Sequence, residues 1–195
     1  MKERTMHEER TSSDSAAPGE QRAASRGTAH IHLIVGPVGA GKSTFALQLC
    51  REQRAVRLNL DEWMTALFTP DRPGTGVLEW YIERTERCVD QIWRLTERML
   101  EVGTSVVLEI GLIRRDHRER FYERVDAGGH PMTIHVLDAP RDVRRERVLR
   151  RNQQKGDTFS MVVPPDFFEF ASDMWQPLDD TERDGRDVRT VSTGD

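Results

Sequence analysis

The segment GPVGAGKST, at residues 36–44, follows the apolar run IHLIV and precedes a stretch of helix-forming residues. It satisfies the pattern Gly-x4-Gly-Lys-Ser in the strand–loop–helix context that this pattern requires. Glycines at these positions let backbone N–H groups turn inward around a phosphate group, and the start of the following helix adds favourable partial charge. The segment therefore predicts a phosphate-binding loop between a β-strand and an α-helix.

Short apolar runs of β-strand composition recur along the chain, and helix-length segments separate them. They lie at 31–35, 56–60, 105–110, 132–137 and 187–191, with helices predicted at 44–51, 77–101 and 115–127 and from 140 onward. This alternation predicts βαβ units around a mainly parallel sheet of about five strands. We therefore expect an α/β protein with a three-layer α/β/α architecture, a P-loop NTPase fold of the nucleoside-kinase type.

Residues 1–29 are rich in charged residues, Ser, Ala, Gly and Pro and have no apolar periodicity. A segment of this composition cannot bury enough apolar surface to offset its ordering entropy. The remaining length suffices for one domain with its own core. We expect a disordered tail at 1–29 and a P-loop kinase domain at 30–195.

Charge and cysteine usage limit the partners and the compartment. The net charge is −4, so no overall basic field attracts nucleic acid, although arginines cluster between residues 141 and 151. The two cysteines, Cys50 and Cys88, lie in helix-like segments, which favours a reducing compartment over a disulfide framework. No apolar run approaches the ~18 residues of a membrane span. We expect a cytoplasmic protein that binds no membrane and for which a nucleic-acid partner is disfavoured.

The loop itself supplies the first candidate site residues. Lys42 is expected to neutralise the β- and γ-phosphates as a catalytic residue, and Ser43 to offer its hydroxyl to Mg²⁺. ATP and Mg²⁺ are therefore the predicted cofactors. The predicted nucleotide-binding residues are Gly36, Pro37, Val38, Gly39, Ala40, Gly41, Lys42, Ser43 and Thr44.

Two carboxylates follow predicted strands at the edge where ligands bind in such sheets. Asp61 comes after the second strand and is a candidate base for an attacking hydroxyl and a candidate Mg²⁺ ligand. The alternative for Asp61 is an N-cap of the next helix. Glu109 ends the third strand and is a candidate Mg²⁺ ligand, with a buried polar residue bonded to neighbouring backbone as its alternative.

Arg147 and Arg151 are four residues apart on one face of a predicted helix. A small phosphotransferase needs a segment that closes over the nucleotide, so both are candidate catalytic arginines. The alternative is a solvated basic helix whose arginines pair with Asp142 and Glu146. That alternative is our expectation for Arg144, Arg145 and Arg150.

Five segments together carry a family resemblance: LIVGPVGAGKSTFA, LDEW, VVLEIGLIRRDHRERF, HVLDAPRDVRRERVLRRN and PPDFFEFASDMWQPLDDTE. They resemble the small P-loop kinase-like group labelled AAA-type ATP-binding domain, which is similar to zeta toxins, chloramphenicol phosphotransferase and polynucleotide 5′-kinases. The resemblance runs from residue 30 to about 191. It implies an ATP-dependent phosphotransferase with Asp61 as base and Arg147 and Arg151 as lid residues. Glu109 departs from the group, in which Asp is common.

We therefore predict a kinase that transfers the γ-phosphate of ATP to a hydroxyl of a small molecule, such as a metabolite, a nucleotide sugar or an antibiotic. Trp63, Phe68, Trp80 and Tyr81 are candidates for an aromatic wall at the acceptor, with core packing as their alternative. One alternative function is a polynucleotide 5′-hydroxyl kinase, which Arg114 and Arg115 keep open. The other is an ATP-binding regulatory switch protein without a phosphoacceptor.

Overall fold

The computed structural model of the protein describes residues 28–156 and 159–193. The predicted disordered tail lies outside the described residues, except for Thr28 and Ala29. Ala29 packs against the hydrophobic core. None of the helices in the described ranges is long and apolar enough to cross a membrane.

Within the described ranges, five strands and seven α-helices mostly alternate. The strands are β1 Ile31–Val35, β2 Val56–Asn59, β3 Val106–Glu109, β4 Met132–Asp138 and β5 Asp187–Ser192. The helices are α1 Lys42–Gln53, α2 Leu60–Leu67, α3 Val77–Glu101, α4 Arg115–Ala127, α5 Arg141–Gln154, α6 Pro165–Asp173 and α7 Asp180–Asp184, with a 3₁₀ turn at Thr69–Asp71.

The strands form one sheet in the order β2-β3-β1-β4-β5, and every neighbouring pair is parallel. This confirms the predicted P-loop fold with five parallel strands. The register pairs Val35 of β1 with Val136 of β4 and Asn59 of β2 with Glu109 of β3. The carboxyl ends of these strands therefore lie along one edge, where α/β sheets bind their ligands.

The central strands are buried on both faces, as parallel strands covered by helices must be. On one face, Leu33 and Leu108 join the larger core cluster under α3 and α4. On the other face, Ile34 and Leu137 pack against α1.

Helix α3 has its predicted bounds. Its buried residues recur every four positions and are Cys88, Ile92, Thr96 and Leu100.

Candidate functional site

The loop at 36–41 is pressed closely against its neighbours at the carboxyl edge of the sheet. Gly36 has a φ of +149°, and a Cβ there would lie 2.2 Å from the carbonyl oxygen of Leu137. Gly39 has a φ of +80°, and its Cβ would lie 2.6 Å from the carbonyl oxygen of Arg144. Only glycine fits these two positions without moving backbone. The loop therefore keeps a fixed shape between β4 and α5.

Lys42 is the first residue of α1, whose N-cap, Gly41, provides no capping side chain. The Lys42 ammonium donates hydrogen bonds to the carbonyl oxygens of Gly36 at 2.9 Å and Pro37 at 2.8 Å. Burial lowers the pKa of Lys42 to about 8, although Glu109 and Asp61 oppose the shift. The lysine therefore lies within the loop and close to both predicted carboxylates.

Glu109 is buried at the end of β3, and within the described part of the chain its carboxylate accepts hydrogen bonds from side chains. Its Oε1 accepts from the Ser43 hydroxyl at 3.0 Å. Its Oε2 accepts from Arg57 Nε at 2.5 Å and from Asn59 Nδ2 at 3.1 Å. The alternative of a polar residue bonded to neighbouring backbone is therefore wrong, and the predicted metal residues Ser43 and Glu109 do lie together.

Sequence reasoning missed Arg57 and Asn59. They are two residues apart on β2, so their side chains point to the same side of the sheet. A signal was present, because two polar residues alternate within a strand that should be largely apolar in a parallel sheet. Their partner on β3 could be identified only from the strand order, since β3 follows β2 by about fifty residues in the sequence.

Asp61 lies in the first turn of α2 but does not cap that helix. The cap is Asn59, whose Oδ1 accepts from the Glu62 backbone N–H at 2.9 Å, so the N-cap alternative for Asp61 is wrong. The surrounding protein partly removes the Asp61 carboxyl group from water, and this desolvation raises its pKa. The positive charges of Lys42 and Arg151 oppose that shift. The Asp61 carboxylate is thus electrostatically coupled to both cations while part of its surface stays open to solvent.

The two predicted lid arginines have different surroundings. Arg151 is coupled to Asp61 and Lys42, and its Nε is buried without a hydrogen-bond partner among the described residues. Arg147 instead binds Thr193 after β5, donating to its hydroxyl at 3.1 Å and to its carbonyl oxygen. The Thr193 hydroxyl donates to the Ala40 carbonyl oxygen at 2.9 Å. Arg147 therefore contacts the loop indirectly.

Arg144 was expected on the solvated face of α5, and this expectation is wrong. Its side chain is buried, and it donates to the carbonyl oxygen of Ala139 at 3.0 Å and to that of Val38 at 3.0 Å. Arg145 is on the surface, but its ion pair is with Glu169 of α6 at 2.7 Å. Arg144 therefore contacts the loop, and Arg145 pairs with α6 rather than with the expected Asp142 or Glu146.

The other candidates near the acceptor side are mostly engaged in packing or ion pairs. Trp63 and Phe68 pack against the core, and Trp80 lies under an arginine of its own helix, 4.6 Å from the ring centroid. Tyr81 is partly exposed, and the removal of its hydroxyl from water, followed by the charge of Asp61, raises the pKa of that hydroxyl. Among the four aromatic candidates, Tyr81 is therefore the one with a polar group to offer to an acceptor.

Arg114 and Arg115 also have protein partners. Arg114 forms an ion pair with Asp116 at 3.0 Å. Arg115 forms one with Glu119 at 2.6 Å and another with Asp179. Because both guanidinium groups are paired with carboxylates, they offer little unbalanced positive charge to an anionic acceptor.

A sequence model of the AAA domain family (AAA_33) matches residues 31–163. The chain belongs to this AAA domain family. The match covers the P-loop, both carboxylate-bearing strand ends and the whole of α5, and it ends before α6. No curated protein matches this AAA domain.

Several solved structures similar to this AAA domain are small kinases, and another is the Pnkp1/Rnl/Hen1 RNA repair complex, 18% identical with a TM-score of 0.57 over 84% of this chain and 48% of that one. A candidate kinase from Chloroflexus aurantiacus J-10-fl is 21% identical with a TM-score of 0.63, over 85% of this chain and 86% of its own. A gluconokinase from Sinorhizobium meliloti 1021 is 15% identical with a TM-score of 0.55, over 86% and 84%. The APS kinase of Mycobacterium tuberculosis, solved with AMPPNP and APS, is 16% identical with a TM-score of 0.54, over 85% and 89%. At such identities the likeness shows a shared fold.

The residues of this AAA domain fit a nucleotide with a bound Mg²⁺. The start of α1 carries no capping side chain, and the buried Arg151 Nε is a donor without a partner among the described residues. Ser43 and Glu109 provide a hydroxyl and a carboxylate side by side. Residues 28–156 and 159–193 contain no group of three or more His, Cys, Asp or Glu that could hold a metal ion.

A cavity of about 560 Å³ lies at the opposite, amino-terminal edge of the sheet. Its histidines form hydrogen bonds inside its own lining. His30 contacts the Thr133 hydroxyl at 2.8 Å, which donates to Asp187 at 2.6 Å, and His32 contacts His135 at 3.2 Å. The cavity is therefore separate from the P-loop site, and one ring nitrogen of each histidine already has a partner.

Proposed function

We propose that this chain transfers the γ-phosphate of ATP to a hydroxyl group of a small molecule. The observation that carries the proposal is the position of Asp61 in the first turn of α2, directly after β2 and at the sheet edge that also carries the phosphate-binding loop. A carboxylate with a raised pKa, close to phosphate-binding cations, is suited to accept the proton of an attacking hydroxyl. Nucleotide binding alone has no need for such a base, so its presence supports transfer over a regulatory switch.

The phosphate side of the proposed site is formed by the loop and α1. The loop amides at 36–44 and the start of α1 bind the phosphates, and Lys42 neutralises charge on the transferred group. Ser43 and Glu109 hold Mg²⁺, with Asp61 as a further carboxylate on that side. When bound, Mg²⁺ supplies electrostatic stabilisation of the phosphate oxygens.

The two arginines of α5 receive different roles in this proposal. Arg151 stabilises the charge of the transferring phosphoryl group, because its buried Nε has an unused N–H and it lies near Asp61 and Lys42. Arg147 supports the loop indirectly, because it binds Thr193, whose hydroxyl donates to the Ala40 carbonyl oxygen. A catalytic contribution of Arg147 is therefore proposed to be indirect.

A small acceptor is favoured over a polynucleotide for two reasons. The gluconokinase and the APS kinase that share this fold are named for small-molecule substrates, although the RNA repair complex shares the fold as well. In addition, Arg114 and Arg115 already pair with carboxylates, so a phosphodiester backbone would have to compete with these pairs. Tyr81, beside Asp61, is the proposed contact for the acceptor.

The test is Asp61→Asn in the full chain, with γ-labelled ATP and a panel of hydroxyl-bearing metabolites, sugars, antibiotics and oligonucleotides. We expect transfer to fall by about 10²–10⁴-fold, the usual contribution of a general base, while affinity for ATP is retained. Asp90→Asn is the matched control, because Asp90 is exposed and pairs with Arg124 on α4. It should transfer phosphate like the wild type.

The same panel separates the alternatives. Label on a small molecule supports the proposal, and label on an oligonucleotide 5′ end supports a polynucleotide kinase. ATP binding without label on any acceptor supports a switch protein. Equal transfer by Asp61→Asn and wild type would contradict the assignment of Asp61 as base.

A further inference from the structure

We propose that Arg57 is a positioning residue that holds the Glu109 carboxylate in the orientation needed beside Ser43. This inference rests on one part of the proposed function, namely that Ser43 and Glu109 hold Mg²⁺. Arg57 lies on β2 and forms hydrogen bonds with two carboxylates, those of Glu109 and Glu62. No sequence motif or family likeness pointed to it.

The two oxygens of Glu109 are used differently. Oε2 accepts both donors from β2, Arg57 Nε at 2.5 Å and Asn59 Nδ2 at 3.1 Å. Oε1 accepts only from the Ser43 hydroxyl, at 3.0 Å. Arg57 and Asn59 therefore fix one oxygen, and the other is directed at the residue expected to bind the metal.

This arrangement restricts the carboxylate of a long side chain. A Glu side chain has one more rotatable bond than Asp, so its carboxylate has more orientations to lose when it is fixed. The planar guanidinium of Arg57 restricts those orientations through a short, charge-assisted hydrogen bond. The longer carboxylate thus becomes as well directed as a shorter one.

Arg57 is itself held from the opposite side. Its Nη1 binds the carboxylate of Glu62 in the first turn of α2, and Asn59 Oδ1 accepts from the Glu62 backbone N–H. Burial alone would lower the pKa of Arg57, but Glu109 and Glu62 raise it above its usual value, so the guanidinium stays charged. The side chains of Arg57 and Glu109 are 12% and 5% exposed, whereas that of Glu62 is 47% exposed. Solvent therefore screens the Arg57–Glu109 attraction less than the Arg57–Glu62 attraction.

A merely structural ion pair between β2 and β3 would have a different signature. Its loss would lower the free energy of unfolding and would weaken ATP binding, if at all, equally with and without Mg²⁺. A positioning residue next to a metal ligand instead changes metal affinity, commonly by about 10–100-fold. The dependence of nucleotide binding on Mg²⁺ therefore separates the two roles.

The experiment measures binding of a fluorescent ATP analogue to the full chain in EDTA and across a Mg²⁺ titration. For Arg57→Gln we expect the Mg²⁺ concentration at half-maximal tightening to rise about tenfold or more, with little change in EDTA. Arg57→Lys should recover only part of the loss, because a lysine cannot reproduce the planar fork between two carboxylates. Glu62→Gln is the matched control and should shift the Mg²⁺ requirement far less, since it leaves the Arg57–Glu109 pair in place.

Three outcomes overturn the proposal. Arg57→Gln could have the Mg²⁺ requirement of the wild type, or it could bind ATP more weakly to the same extent with and without Mg²⁺. The third outcome is a wild-type protein whose ATP affinity does not depend on Mg²⁺. If thermal unfolding shows that Arg57→Gln does not fold, Arg57→Lys decides, because a wild-type Mg²⁺ requirement in that folded variant also overturns it. The assay needs no phosphate transfer. Failure to label any acceptor would thus contradict the proposed function and leave this result standing.

Discussion

Arg144 donates a hydrogen bond from Nη1 to the carbonyl oxygen of Val38, at 3.0 Å, although the two residues are 106 positions apart. The same nitrogen donates to the Ser172 hydroxyl of α6 at 3.1 Å, and Nε donates to the Ala139 carbonyl oxygen at 3.0 Å. One buried guanidinium thus joins the phosphate-binding loop, the start of α5 and the end of α6. The shape of the loop depends on a residue outside the P-loop motif.

Arg144→Met should therefore affect both stability and nucleotide binding. The change leaves the Val38 and Ala139 carbonyl oxygens without their donor, and we expect the free energy of unfolding to fall by about 2–3 kcal/mol. We also expect weaker ATP binding, because the loop loses its support at Val38. Urea unfolding and nucleotide titration measure the two effects.

The neighbouring arginine provides the control for this experiment. Arg145 pairs with Glu169 on the surface, where an ion pair contributes about 0–1 kcal/mol. Arg145→Met should thus leave ATP affinity unchanged and alter stability only slightly. If the two variants lost the same stability and the same affinity, the support of Val38 by Arg144 would not be responsible.

The fold could be predicted from the sequence because its signals are local. The apolar runs fell within one or two residues of the observed strands, and helices α3 and α4 have their predicted bounds. The P-loop motif correctly placed the end of the first strand, and the first helix begins at Lys42, two residues before its predicted start. Each of these features depends on neighbouring residues in the chain, which a sequence displays directly.

The roles of the arginines on α5 could not be predicted in this way. The helix has few apolar residues, so no hydrophobic stripe marks which of its arginines face inward. Arg144 is buried and Arg147 binds Thr193, and both contacts depend on segments far away in sequence. Arg57 was missed for the same reason, because its partner belongs to the neighbouring strand.

A second buried ion pair, outside the candidate site, should be important for stability. Arg118 donates from Nε to Glu182 at 2.7 Å and from Nη2 at 2.8 Å, and the Tyr122 hydroxyl donates to the same carboxylate at 3.1 Å. Removing one partner of a buried pair costs about 3–5 kcal/mol. We expect Glu182→Gln to lower the free energy of unfolding by about that amount, as measured by denaturant unfolding at pH 7.

The pH dependence provides an internal check on this prediction. Burial alone would raise the pKa of Glu182, but Arg118 and Tyr122 lower it below its usual value. The stabilisation is then present above the unfolded pKa of about 4.3 and is lost as the pH falls through the lower folded pKa. The difference between wild type and Glu182→Gln should therefore shrink in acid. Asp116→Asn, at an exposed ion pair, should show a small difference at every pH.

Lys42 should take up protons when ATP binds near pH 8. Its pKa is lowered to about 8 by burial, so about half of the free protein carries a neutral amine at that pH. A polyphosphate next to the ammonium favours the charged form and raises the pKa, so binding should draw up to about half a proton from solution. Calorimetry of ATP binding in buffers of different ionisation enthalpy measures this number directly.

The uptake by Lys42 should decline towards pH 6.5, where the lysine of the free protein is already charged. The nucleotide itself also exchanges protons, and a Lys42→Met control reveals that contribution. No uptake by the wild type at pH 8, or equal uptake by Lys42→Met, would show that another group carries the linkage.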